Sequence, residues 1–76
     1  MARITPLSWQ RLSRMFEHDG WRLAKTKGAH LVYTKTGFER PVVIPKDSRV
    51  EIFIILNNLK TARISREHYF ELLKKA

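Results

Sequence analysis

The chain carries three histidines and no cysteine, so its candidate proton-transfer groups are His18, His30 and His68, and no thiolate is available as nucleophile or metal ligand. His30 is the one set among cations. It follows the turn-forming run Lys27-Gly28-Ala29, with Lys25 just before that run. An imidazole with an ordinary pKa of about 6.5 gives or takes a proton near neutrality, and ammonium groups bind a phosphate and stabilise negative charge developing on it. Metal-free cleavage of RNA has those needs: a base for the 2′-hydroxyl proton, an acid for the leaving oxygen, and positive charge at the phosphate. His30 is therefore a candidate general acid or base, with Lys25 and Lys27 as candidate phosphate contacts. The residues do not identify a second acid or base. The competing reading is an ordinary strand histidine, since strand alternation groups His30 with Val32 and Thr34 without saying which face meets the helices.

Gly28 could present its backbone amide to a phosphate, and Arg22, Lys35 and Arg40 flank the same stretch and could extend an RNA-facing basic strip. The other chemistry-bearing groups read as structural. His18 falls in the last turn of a helix, where an imidazolium suits the dipole, and His68 lies in the final helix. The carboxylates form no ligand cluster, although Glu67 and Glu71 share a helix face, so no metal site is expected. No phosphate-loop or dinucleotide fingerprint is present, and no cofactor is expected. Trp9 and Trp21 could stack on bases but fit core packing better.

The bulk charge agrees with a polyanionic partner. Fifteen Lys and Arg against seven Asp and Glu leave a net charge of +8 on 76 residues, a field that attracts nucleic acid before any specific contact forms. No segment reads as a signal peptide, and the aliphatic run Ile52 to Leu56 is too short to cross a bilayer. A soluble, cytoplasmic protein without a membrane partner is expected, and the absence of cysteine favours a reducing compartment.

These residues need a scaffold, and the periodicity supplies one. Trp9, Leu12, Met15 and Phe16 recur at helical spacing over about Ser8 to Asp19, with Ser8 as N-cap and Gly20 as terminator. Trp21-Arg22-Leu23, Leu31-Val32-Tyr33-Thr34 and Val42-Val43-Ile44 are short β-prone runs separated by Lys27-Gly28 and Thr36-Gly37, which predicts an antiparallel meander. Pro41 and Pro45 bracket the third run and mark strand ends or an edge strand. Ile52, Ile55, Leu56 and Leu59 then return at helical spacing with Ser48 available as cap, though Val50 to Ile55 also reads as a strand by propensity. Ser65 is expected to cap a last helix burying Tyr69, Phe70 and Leu73 and pairing Glu71 with Lys75. The predicted fold is one α+β domain over residues 1–76: a two-layer α-β-β-β-α arrangement with an additional short C-terminal helix, like the double-stranded-RNA-binding domain.

Several of these pieces, in order, resemble the HicA (YcfA-like) family. The helix Leu12 to Gly20 followed by Trp21, the run Lys27-Gly28-Ala29-His30, and Pro41-Val42-Val43-Ile44-Pro45 look like the family's helix, glycine–aromatic junction, G-[S/T/A]-H motif and closing strand. The segment Ala62-Arg63-Ile64-Ser65-Arg66-Glu67 is similar to the family's A-G-[IL]-S-x-E stretch. The resemblance covers about Leu7 to Leu73. It implies a type II toxin that cleaves mRNA without a metal, with its catalytic histidine at His30, silenced by a HicB-like antitoxin. The chain departs from the pattern at Ala29, where many relatives carry a small hydroxyl residue, at Leu31, where they carry a second histidine, and at Arg63, where the family has glycine. Two other functions fit the composition: a non-catalytic RNA-binding module of the same topology, and a protein-interaction domain whose basic face meets an acidic partner.

Overall fold

The computed structural model describes residues 3–76. Six elements follow one another: α1 (Trp9–His18), β1 (Arg22–Lys27), β2 (His30–Thr34), β3 (Val42–Pro45), α2 (Ile52–Ala62) and α3 (Arg66–Lys75). This is the α-β-β-β-α order with a further C-terminal helix, and the strands form an antiparallel sheet in the order β1-β2-β3. Leu31 and Tyr33 of β2 and Val42 and Ile44 of β3 are buried against the helices, whereas His30, Thr34 and Val43 face solvent. The sheet thus has one covered face and one open face. No helix among the described residues is long and apolar enough to cross a membrane.

α1 begins where Ser8 Oγ accepts the Arg11 amide at 3.3 Å, and its stripe of Leu12, Met15 and Phe16 is completely buried. Gly20 ends it at φ +94°, a conformation that side chains rarely adopt. The reversal carries Trp21 back over the helix end, where its amide donates to the Phe16 carbonyl and its ring packs edge-on to Phe16 and against Phe38. β1 is longer than the run Trp21-Arg22-Leu23 suggested, so Lys25 and Lys27 lie within the strand itself.

α2 corrects two expectations. Ser48 is not its cap: the helix starts after Glu51, which makes no side-chain cap bond. Val50 exchanges backbone hydrogen bonds with Leu7 at 2.6 and 3.3 Å, and that isolated bridge holds the chain extended past Ser48. Ile52 and Leu56 are exposed at 39% and 45%, and the buried side is instead Ile55, Asn58, Leu59 and Ala62. Asn58 explains the rotation. Its Nδ2 donates to the Val43 carbonyl at 2.9 Å and its Oδ1 accepts the Val43 amide at 3.4 Å, so the polar demand of the β3 edge turns the helix. The helix closes at Arg63 in the left-handed region, φ 56° and ψ 40°, where the resemblance expects glycine. The Arg63 guanidinium lies 5.4 Å from the centre of the Phe38 ring.

Ser65 caps α3 as expected, its Oγ accepting the His68 amide at 3.1 Å. The buried stripe is Tyr69 and Leu72, with Phe70 and Leu73 at its margin, and Glu71 and Lys75 are not within ion-pair distance. Tyr69 is 1% exposed, and its hydroxyl has no hydrogen-bond partner among the described residues. Burial pushes its pKa up to about 12. An unfolded tyrosine ionises near pH ~10. Between those values the native state holds the proton that the unfolded state releases, so the stability present below about pH 10 falls as pH rises toward about 12. Tyr69→Phe should therefore raise stability at neutral pH by about 1 kcal/mol, through loss of an unpaired buried hydroxyl, and flatten that alkaline decline. Urea unfolding from about pH 8 to about pH 12 measures both; a destabilised variant, or one that declines as steeply as the parent, refutes the account.

Candidate nucleic-acid interface

The hairpin joining β1 to β2 has the two-residue loop Gly28-Ala29, closed by the pair Lys27 and His30. Gly28 takes φ +59° while Ala29 does not have positive φ, the pattern of a type II′ turn, whose twist suits the flanking strands. The Ala29 carbonyl accepts the Lys46 amide at 2.8 Å, which ties the hairpin tip to the chain leaving β3. His30 thus begins its strand from a fixed turn.

Register decides which groups share the open face. His30, Val32 and Thr34 alternate with the buried Leu31 and Tyr33. Across β1, Lys27 stands opposite His30 and Lys25 opposite Val32; across β3, Pro45 stands opposite His30 and Val43 opposite Val32. The result is a shallow depression of 520 Å³ lined by Lys25, Lys27, Gly28, Ala29, His30, Val32, Pro41 and Val43. Four of the residues expected at the site, His30, Lys25, Lys27 and Gly28, are thus brought together. The apolar floor of Val32, Val43 and Pro41 was not foreseen. Alternation alone places Val32 beside His30, but Val43 needs the β2–β3 register and Pro41 the course of the loop.

Lys35 and Arg40 do not join them. Both follow the C-terminal end of β2, opposite the end that carries His30. Lys35 Nζ lies 3.4 Å from Asp19 Oδ2, which also accepts the Trp21 indole N–H at 3.2 Å, so this lysine is part of the α1–β1 junction. Arg40 lines a separate hollow with Gly37, Phe38, Glu39, Thr61 and Arg63. The strip suggested by the sequence does not close around His30: Lys35 lines a hollow with Arg22 at the start of β1, and Arg40 lines another.

None of the three strands and no residue lining the depression carries a carboxylate, while Lys25 and Lys27 bring positive charge to it. His30 is exposed, and its side chain makes no hydrogen bond to the described residues. Tyr33, three residues along β2, points to the helices and donates to Glu17 at 3.3 Å. Burial raises its pKa, and it does not reach the open face. No residue lining the depression other than His30 is a carboxylate, tyrosine or imidazole. Leu31 is 5% exposed and points to the core, so a side chain at that position does not enter the depression. His18 is exposed on α1, and His68 Nε2 lies 3.9 Å from Asp19 Oδ1, away from His30. No three metal-ligating side chains converge among the described residues. Compared with family models, with curated proteins and with solved structures, the chain matches none.

Proposed function

We propose that this chain is a HicA-like toxin of a type II toxin–antitoxin pair, a cytoplasmic, metal-independent endoribonuclease that cleaves mRNA at the depression around His30. The observation that carries the reading is a single exposed imidazole paired across the sheet with Lys27, next to Lys25, on a face without a carboxylate. His30 takes the proton of the 2′-hydroxyl, and the 2′-oxygen attacks the adjacent phosphorus. The P–O5′ bond breaks as the 2′-oxygen bond forms, and the departing 5′-oxygen takes its proton from water, leaving a 2′,3′-cyclic phosphate and a 5′-hydroxyl end. Lys25 and Lys27 hold the non-bridging oxygens and stabilise the charge that gathers there. The Gly28 amide lies at the rim for a further phosphate contact. A HicB-like antitoxin silences the enzyme by covering this depression with acidic groups.

One observation favours a second reading. The depression offers no second imidazole or carboxylate to protonate the leaving oxygen, which suits an RNA-binding module that leaves its ligand intact. Incubating the purified chain with a long single-stranded RNA in excess EDTA separates the two. The nuclease reading expects fragments ending in cyclic phosphate. Intact RNA bound with a steep salt dependence would replace it with the binding module.

A further inference from the structure

Arg22 and Lys25 are three residues apart, and strict strand alternation would send them to opposite faces of the sheet. The register shift between Leu23 and Lys25 prevents this. Ala24 is the extra residue of a β-bulge, so Arg22 stands opposite Thr34, Lys25 opposite Val32 and Lys27 opposite His30. Those three partners share the open face of β2, and the three cations share it with them. Successive rungs are two β2 residues apart, roughly 7 Å. Neighbouring phosphates of an extended single strand are separated by about the same interval.

The three cations are exposed, and none has a carboxylate within ion-pair distance among the described residues. Beyond Arg22 the row opens on a polar hollow lined by Gly20, Arg22, Thr34, Lys35 and Thr36. The Thr34 and Thr36 hydroxyls there can meet a sugar or phosphate oxygen. Toward the other end the row stops at the Gly28-Ala29 turn, beside His30.

From this alignment we infer that β1 is a phosphate track: an extended single-stranded nucleic acid lies along β1 with consecutive phosphates at Lys27, Lys25 and Arg22. The bulge at Ala24 is the device that brings the third cation into line. The inference rests on the RNA-binding half of the proposed function, and adds to it a third contact and the direction the strand takes away from His30.

The probe is a fluorescent 2′-O-methyl oligouridylate, which binds as RNA does but has no free 2′-hydroxyl to attack. Its affinity is measured against salt concentration. Three phosphate contacts predict a slope of log K on log salt of about −2, and Arg22→Gln should make it shallower by about 0.7. Arg22→Lys should keep the slope. Arg14→Gln removes the same charge from the exposed side of α1 and should leave it unchanged. The track is overturned if Arg22→Gln changes nothing, or if Arg14→Gln changes the slope equally. It is also overturned if polyglutamate competes as well as the oligonucleotide charge for charge, which would assign the row to an acidic protein. Because the probe cannot be cleaved, an intact track with no RNA cleavage sinks the nuclease alone. Cleavage with an unaltered slope in Arg22→Gln sinks the track alone.

Discussion

His30→Ala should slow RNA cleavage by at least about 100-fold, the usual contribution of a positioned general acid or base, while leaving the fold within about 0.5 kcal/mol of the parent. The two halves of that expectation have separate grounds. Loss of rate follows because His30 carries the one imidazole lining the depression, and imidazole is the side chain suited to general acid–base work. Retention of the fold follows because the side chain is exposed and bonds to no described residue, so its removal opens no cavity and orphans no buried partner. Cleavage rates in EDTA, read beside thermal melts of the same preparations, give both numbers. Equal rates with equal melting would show that the fragments come from another residue or another protein.

Trp21→Ala should act in the opposite sense, through stability alone. Trp21 is 1% exposed, meets Phe16 edge-on at 6.3 Å and Phe38 at 5.0 Å, and donates its indole N–H to Asp19. Truncating a buried aromatic to alanine costs about 3 to 5 kcal/mol. Domains of this length have roughly 4 to 11 kcal/mol in all, at ~0.05 to ~0.15 kcal/mol per residue. The variant should melt at least about 12 °C lower, taking about 4 °C per kcal/mol. Trp21→Phe keeps the ring contacts, loses only the bond to Asp19 and part of the volume, and should fall between. Calorimetry of the three proteins measures the ordering; a Trp21→Ala protein that melts with the parent would mean that this ring does not anchor the α1–β1 junction.

The sequence made the elements legible where one force dominated. α1, its Ser8 cap and the Gly20 reversal could be read because the apolar stripe and the turn chemistry agree there. The meander could be read because glycines break three β-prone runs. α2 was misread on its buried face, since Ile52 and Leu56 look like core residues by spacing while the decisive side chain is the polar Asn58. Its start was misread because the Leu7–Val50 bridge joins residues too far apart for any local signal. The site shows the same division. His30, Lys25, Lys27 and Gly28 are neighbours in sequence and remain so around one hairpin. Lys35 and Arg40 looked equivalent to them until the direction of β2 carried them to the other end of the sheet. The common face of Arg22 and Lys25 depends on one inserted residue, which no periodicity announces.

The Asn58 amide on Val43 has a further consequence, for self-assembly. A sheet grows into a fibre only if each copy offers two free edges, one to accept the next molecule and one to be accepted by the last. Here the β3 edge is occupied by an amide that satisfies both Val43 backbone groups, as a neighbouring strand would. The outer edge of β1 is left, and it is lined by Arg22, Lys25 and Lys27. With a single usable edge, joining strand to strand ends at a closed pair of copies, and the like charges on β1 oppose even that pair.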